Sequence, residues 1–228
     1  SDAVIVLGLA REGGGIYVDE RARLNLFNVV AGQNKAARGG ALDIRIGADV
    51  NIYNTLFEEN MVFASLTTQW GGHGGAVAFY NLDISGKVSG KVSIQSSIFN
   101  ANKATAAGAA VASSRVVAIE FSDVLFEMNE ADSGGAALFD DCPDVSLKEV
   151  IFRLNRATGL LGGGAVRCTT SGFGISGPQD TPTRVSTNVE ASGVWFVENS
   201  AINGDGGALN MFEAASHDNK HSLIGGAP

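Results

Sequence analysis

Short stretches in which apolar and polar residues alternate recur along the whole chain. Val92 and Ile94 flank Ser93, for example, and the same spacing separates Val145 from Leu147. An alternation of period two is typical of a β-strand, whose successive side chains point to opposite faces. No segment carries a sustained 3.6-residue pattern, so the chain is predicted to be all-β.

Each alternating stretch leads into a repeated motif, Phe-x-x-Asn, which is followed by Gly-Gly-Ala or a close variant. The motif pairs are Phe57 with Asn60, Phe99 with Asn102, Phe126 with Asn129, Phe152 with Asn155, and Phe196 with Asn199. An imperfect earlier copy has Ala31 in place of Phe, followed by Asn34. The closest copies are 26 residues apart. Short strands and tight turns in a unit of this length predict a single-stranded parallel β-helix, a solenoid of about seven coils.

The motif residues are predicted to be structural. Coils stacked about 4.8 Å apart would place Phe over Phe in the core and Asn over Asn at one corner. We expect each Phe to be buried, and each Asn to be buried and hydrogen-bonded to backbone, because an unpaired buried amide is costly.

Composition and charge exclude several classes of protein. With 45% hydrophobic and 18% charged residues, the chain is not intrinsically disordered. The net charge of −8 and the scattered Lys and Arg residues argue against a nucleic-acid partner. The apolar runs are too short for a membrane-spanning segment. We expect one domain over residues 1–228, and both ends resemble interrupted repeats, which suggests a segment of a longer chain or assembly.

The paired motifs resemble the repeats of a known family. Phe-x-x-Asn combined with Gly-Gly-Ala-[Ile/Leu/Val] is similar to the repeat of the chlamydial polymorphic membrane proteins, which are autotransporter passengers. The resemblance covers residues from about 13 to 209. It implies a right-handed β-helix, a cell-surface or extracellular location, and a role in adhesion.

Catalysis on such a scaffold needs acidic or basic side chains that converge from adjacent coils. After the Gly-Gly-Ala motifs, only Asp140 and Asp141 form an acidic pair, and their neighbours do not extend it. No catalytic residue, cofactor or metal site is therefore predicted. Three or more charged side chains from adjacent coils in one groove would favour an enzyme instead.

The predicted function is a non-catalytic, surface or secreted β-helical module for adhesion or extracellular assembly. A protein or a glycan at the cell surface would be its partner, and further copies could stack at both ends. Two alternatives remain open: a carbohydrate-active enzyme resembling polysaccharide lyases or hydrolases, and a purely structural filament or spacer subunit.

Three insertions interrupt the repeat, and loops that leave a regular scaffold often carry recognition. They span residues 61–73, 81–90 and 169–193. The first contains Met61, Phe63 and Trp70, which we take as a candidate partner-binding loop because exposed aromatic side chains often anchor partners. The alternative is that this loop folds back onto the scaffold.

Cys142 and Cys168 are 26 residues apart, which is one full repeat. They should lie on neighbouring coils, where a disulfide could join them. Their registers differ, however, since Cys142 comes six residues after its motif Ala and Cys168 only three. Without a turn between them, the offset exceeds what a disulfide tolerates. The alternative is two separate small core residues.

Overall fold

The structure is a computed structural model, and it describes residues 3–19, 22–45, 47–63, 71–80, 89–170 and 186–213. These residues form β-strands joined by turns and contain no helix. The strands are β1 (Ala3–Val6), β2 (Ile16–Val18), β3 (Arg23–Phe27), β4 (Val29–Gly32), β5 (Lys35–Ala36), β6 (Leu42–Arg45), β7 (Asp49–Tyr53), β8 (Leu56–Glu58), β9 (Met61–Val62), β10 (Val77–Tyr80), β11 (Ser89–Asn100), β12 (Val111–Ser114), β13 (Val116–Glu127), β14 (Glu130–Ala131), β15 (Ala137–Asp140), β16 (Asp144–Arg153), β17 (Arg156–Ala157), β18 (Val166–Thr170), β19 (Val189–Ser192), β20 (Trp195–Val197), β21 (Ser200–Ala201) and β22 (Leu209–Glu213). The described part of the chain offers no helix with the length and apolar character needed to cross a membrane.

The strand pairings in these residues are all parallel, and each joins equivalent positions of neighbouring repeats. The largest sheet has the order β1-β4-β8-β11-β13-β16-β19, with β3, β7 and β20 paired to its side. A second sheet has the order β2-β6-β10-β12-β15-β18-β22, and two small sheets are β14-β17-β21 and β5-β9. The predicted all-β class is confirmed.

Left-handed residues interrupt the extended backbone at four places in the repeat. In one repeat they are Arg115, Asp123, Met128 and Gly134, with φ of 58°, 56°, 53° and 56°. Gly adopts this conformation without strain and Asp at a modest cost, whereas Met128 does so against its steric preference. Met128 directly precedes Asn129, so the hydrogen bonds of that Asn hold the bend in place.

A column of stacked phenylalanines forms the centre of the core. Phe57, Phe99, Phe126 and Phe152 are fully buried. Successive ring centroids, continuing to Phe196, lie 4.8–5.1 Å apart with the rings nearly parallel. Our expectation that every Phe is buried is wrong for Phe196, which is 38% exposed. Among the described residues, its ring stacks on Phe152 alone.

A column of asparagines runs beside the phenylalanines. Asn129 shows the pattern: its backbone N–H and its Nδ2 both donate to Asn155 Oδ1, at 3.1 and 2.9 Å. Its Nδ2 also donates to the Phe99 carbonyl at 3.0 Å. Its Oδ1 accepts from both nitrogens of Asn102, each at 3.0 Å. The amides are buried at positions 34, 60, 102, 129 and 155. Asn199, expected to be buried, is half-buried.

The second glycine of the Gly-Gly-Ala motif lies where the backbone of the next repeat comes close. A Cβ on Gly164 would overlap the carbonyl oxygen of Gly207, whereas a Cβ on Gly207 would meet no described atom nearer than the Asn199 carbonyl oxygen at 3.8 Å. We expect Gly164→Ala to lower the free energy of unfolding by about 2 kcal/mol, as overpacking does. Gly207→Ala should lower it by less than about 0.5 kcal/mol. Urea denaturation of the two variants checks this, and equal effects would contradict the close approach.

Candidate functional site

A groove crosses the outward face of the largest sheet, and six strands from successive repeats build it. Its volume is about 760 Å³. Most of its lining side chains stand six or eight positions before the Phe of a repeat, or before Ala31, where alternation turns them away from the core, and Lys148 stands four positions before Phe152. One row begins Arg23, Asp49, Lys91. The parallel row is Asn25, Asn51, Ser93, Glu120, Ser146 and Glu190.

Charges of both signs are interleaved in the groove. Its lining includes the cations Arg23, Lys91 and Lys148 and the carboxylates Asp49, Glu120, Asp144 and Glu190. Arg23 pairs with Asp49 at 3.5 Å, and Lys148 pairs with Glu120 at 3.4 Å. These exposed pairs contribute little to stability. Their effect is to cancel most of the local field, so the groove carries no strong potential of one sign.

This groove was missed from the sequence, where we looked for converging charges only after the Gly-Gly-Ala motifs. Charged side chains of adjacent repeats do meet here, the arrangement we named as favouring an enzyme. The signal was present in the sequence, because the strand before each Phe alternates strictly. The polar residues between Val50 and Ile52, or between Val145 and Leu147, had to face outward.

Two exposed aromatic rings stand on the same outward face, two positions further along strands β3 and β7. Phe27 is 57% exposed and Tyr53 is 46% exposed. Their ring centroids are 6.4 Å apart and the rings are tilted by 47°. Beside them, Asn51 Nδ2 donates to Asn25 Oδ1 at 2.9 Å. We call Asn25, Phe27, Asn51 and Tyr53 the aromatic platform.

The acidic pair that we singled out from the sequence lies at the end of β15, away from the groove. Asp140 and Asp141 are buried. Ser114 Oγ donates to Asp140 Oδ2 at 3.4 Å, and Arg115 lies 3.8 Å from Asp141. These contacts tie the pair to the preceding repeat. In the residues described, no group of three or more His, Cys, Asp or Glu side chains is arranged to hold a metal ion.

A buried ionic cluster lies on the second sheet, at strands β6 and β10. Arg38 donates to both carboxylate oxygens of Asp43, at 2.9 and 2.8 Å, and its guanidinium lies 3.7 Å from the centroid of the Tyr80 ring. Burial raises the pKa of Tyr80 to about 12, although Arg38 opposes the shift. Tyr80 therefore stays neutral at physiological pH, and its ring packs against the Arg38 guanidinium.

The candidate partner-binding loop is only partly described. Met61 is half-buried in strand β9, where it pairs with Lys35, so its assignment to a loop is wrong. Strand β9 begins directly after Asn60, where Met61 and Val62 pair with the preceding repeat. Phe63 is 41% exposed. Trp70 lies outside the described residues. The second and third insertions are also shorter than we expected, since Gly90 belongs to β11, Thr169 and Thr170 to β18, and 189–192 to β19.

The disulfide between Cys142 and Cys168 is not formed, because both residues are buried free thiols. Register explains the outcome: Cys168 pairs with Phe139, three positions before Cys142. Cys142 Sγ lies 3.5 Å from Ser113 Oγ and 3.3 Å from the Asp140 carbonyl oxygen. Burial raises the pKa of Cys142 to about 11 and that of Cys168 to about 12.

These thiols should make stability depend on pH in alkaline solution. Because folding raises their pKa values, their contribution is complete below the unfolded pKa of 9.0 and is lost as the pH rises through about 11 for Cys142 and about 12 for Cys168. Between pH 9 and 11 we expect Cys142 to account for a loss of about 2 kcal/mol in the free energy of unfolding. Denaturant titrations of the wild type and Cys142→Ala should differ in slope over this range.

Thiol counting provides the matching control. The unreduced chain should show two reactive thiols in denaturant and none in the folded state at pH 8, since both are buried. One or no reactive thiol after unfolding would contradict the free-cysteine state.

Comparison of the chain with protein-family models, with curated proteins and with solved structures finds no match.

Proposed function

We propose that the chain is a right-handed parallel β-helix, with one coil per repeat. The pairing of each strand with its equivalent one repeat away supports this proposal. The left-handed positions that recur in each repeat supply bends of the kind that a coil needs. The handedness comes from the resemblance to the polymorphic membrane protein repeats.

A duplication tests the solenoid. Inserting a second copy of residues 127–152 directly after residue 152 should add one coil and leave the chain folded, because like residues again stack on like. Inserting only residues 127–139 at the same place should disrupt the stack. Circular dichroism and urea denaturation of both variants check this, and equal damage by the two insertions would contradict a solenoid.

We further propose that this β-helix is a non-catalytic binding module for adhesion or extracellular assembly, located at a cell surface or secreted. The observation that carries the proposal is the groove, a long, open surface built from the same outward positions in six successive strands. Its charges are interleaved and partly paired to each other. A surface of this kind favours recognition of an extended partner over attack on one bond.

The groove also gives the enzyme alternative its best support, because carboxylates from several repeats line it. A reactive carboxylate usually needs a low-dielectric setting that shifts its pKa. The carboxylates of Asp49 and Glu120 are about half exposed and face cations, which is typical of a solvated surface. The spacer alternative rests on the periodic core alone and leaves the groove without a role.

An array experiment separates the three functions. The labelled chain is applied to printed glycans and extracellular proteins, and soluble polysaccharides are incubated with it and analysed for chain shortening. We expect retention on at least one class of partner without any shortened product. Shortened product would establish the enzyme alternative, and no retention anywhere would favour the spacer subunit.

A further inference from the structure

We infer that the aromatic platform and the adjoining groove bind an uncharged glycan chain that runs across the repeats. This inference rests on the proposed binding function and adds the class of ligand and the residues that contact it. Four observations carry it: the exposed rings, the free amide groups, the balanced charge and the length of the groove.

Phe27 and Tyr53 occupy equivalent outward positions of neighbouring repeats, and both rings are exposed. The residues at the same position in the later repeats are polar. The equivalent outward residues of the later repeats are Gln95, Ser122, Lys148 and Ser192. Exposure of two adjacent aromatic side chains leaves apolar area in contact with water, and patches of this kind mark binding sites. Two tilted rings offer a shallow curved surface suited to the C–H face of a sugar ring, which is apolar while its edge is polar.

The amides next to the rings supply the complementary polar contacts. The hydrogen bond from Asn51 Nδ2 to Asn25 Oδ1 orients both side chains, which are exposed. It leaves Nδ2 of Asn25 and Oδ1 of Asn51 directed to solvent, one as a donor and the other as an acceptor. A sugar hydroxyl both donates and accepts, so a pair of this kind suits it better than a purely cationic or anionic site.

The charge of the groove favours a neutral chain. Three cations and four carboxylates line it, and Arg23 and Lys148 are already paired with Asp49 and Glu120. A polyanion would meet four like charges, and its binding would release few counterions. Hydroxyl groups, in contrast, can accept from the cations and donate to the carboxylates without disturbing the pairs.

The length of the groove indicates a chain rather than a single sugar. Its lining extends from Arg23 on β3 to Glu190 on β19, across six neighbouring strands. Five spacings of about 4.8 Å give a span of roughly 24 Å. A glycan of several rings could cover that distance, beginning on the aromatic platform.

Calorimetric titration with soluble hexasaccharides tests this inference. The neutral probes are β-linked hexamers of glucose, xylose and mannose, and hexagalacturonate is the charged comparison. At least one neutral hexamer should bind, more tightly than hexagalacturonate does. Phe27→Ala and Tyr53→Ala should each weaken binding about tenfold, as loss of a central aromatic contact does. Both positions are exposed, so thermal unfolding of these variants should match the wild type.

Trp195→Ala is the matched control, because Trp195 is 51% exposed, between the values for Phe27 and Tyr53, and belongs neither to the aromatic platform nor to the groove lining. Its affinity should stay within about twofold of the wild type. Tighter binding of hexagalacturonate, wild-type affinity in both platform variants, or no binding of any neutral hexamer would overturn the inference. If proteins on the array still retain the chain in that case, the proposed binding function stands and only the glycan is wrong.

Discussion

Replacement of Asn129 by Ala is expected to lower the free energy of unfolding by about 4 kcal/mol. The Asn129 side chain accepts from both nitrogens of Asn102 and donates to Asn155 Oδ1 and to the Phe99 carbonyl. Truncation removes these four bonds and takes partners from the buried Asn102 N–H and Phe99 carbonyl, whereas the backbone N–H at position 129 keeps its bond to Asn155. The measurement is equilibrium unfolding in urea, followed by circular dichroism.

Asn51→Ala is the control for this prediction. Asn51 also bonds to an Asn one repeat away, but that bond is exposed and water can replace it. We expect a change of less than about 0.5 kcal/mol. If the two alanine variants have the same stability, the buried column of amides is not what holds the repeats together.

Replacement of Phe126 by Ala should cost roughly 3–5 kcal/mol of unfolding free energy, the range for truncation of a buried aromatic side chain. Its ring is stacked between Phe99 and Phe152, with centroid distances of 4.9 and 4.8 Å, and its edge meets Phe121 at 5.5 Å. The cavity would be lined by these three rings, which are themselves held in the stack, so the core cannot collapse easily into it.

Phe196→Ala removes the same side chain from the half-exposed end of the column. It stacks on Phe152 at 5.1 Å. The loss should be about 1 kcal/mol, since part of the ring is already hydrated. Chemical denaturation of both variants gives the comparison, and a cost at Phe196 as large as that at Phe126 would contradict burial as the cause.

The register of the core could be predicted from spacing alone. Phe126 and Phe152 are 26 residues apart and pair in adjacent strands, and Asn129 of the same repeat donates to Asn155. A parallel stack places like residue over like, so one repeated motif determines both columns. The prediction that Phe196 is buried was wrong. The motif indicates which side chains face the core, but it does not indicate whether a further repeat packs over the last one.

The candidate site was harder to predict. We searched for function in the departures from the repeat, such as Met61 and Phe63, whereas the aromatic platform belongs to ordinary strand positions. Alternation shows that Phe27 and Tyr53 face outward. That they form a pair at one end of a groove depends on neighbours 26 residues away. The predicted disulfide between Cys142 and Cys168 was wrong for a related reason. A left-handed residue, Asp141, separates Cys142 from the strand that pairs with Cys168.

The hydrogen bonds that join the side chains of the asparagine column to each other all run in the same direction. Every Nδ2 donates toward the Oδ1 of the next repeat, from Asn34 through to Asn199. The amide dipoles therefore add head to tail, and each bond polarises the next. A stack built in this way is vectorial, much as an α-helix is. Further repeats or a second copy could extend the column only with the same polarity, because two donor ends brought together would repel.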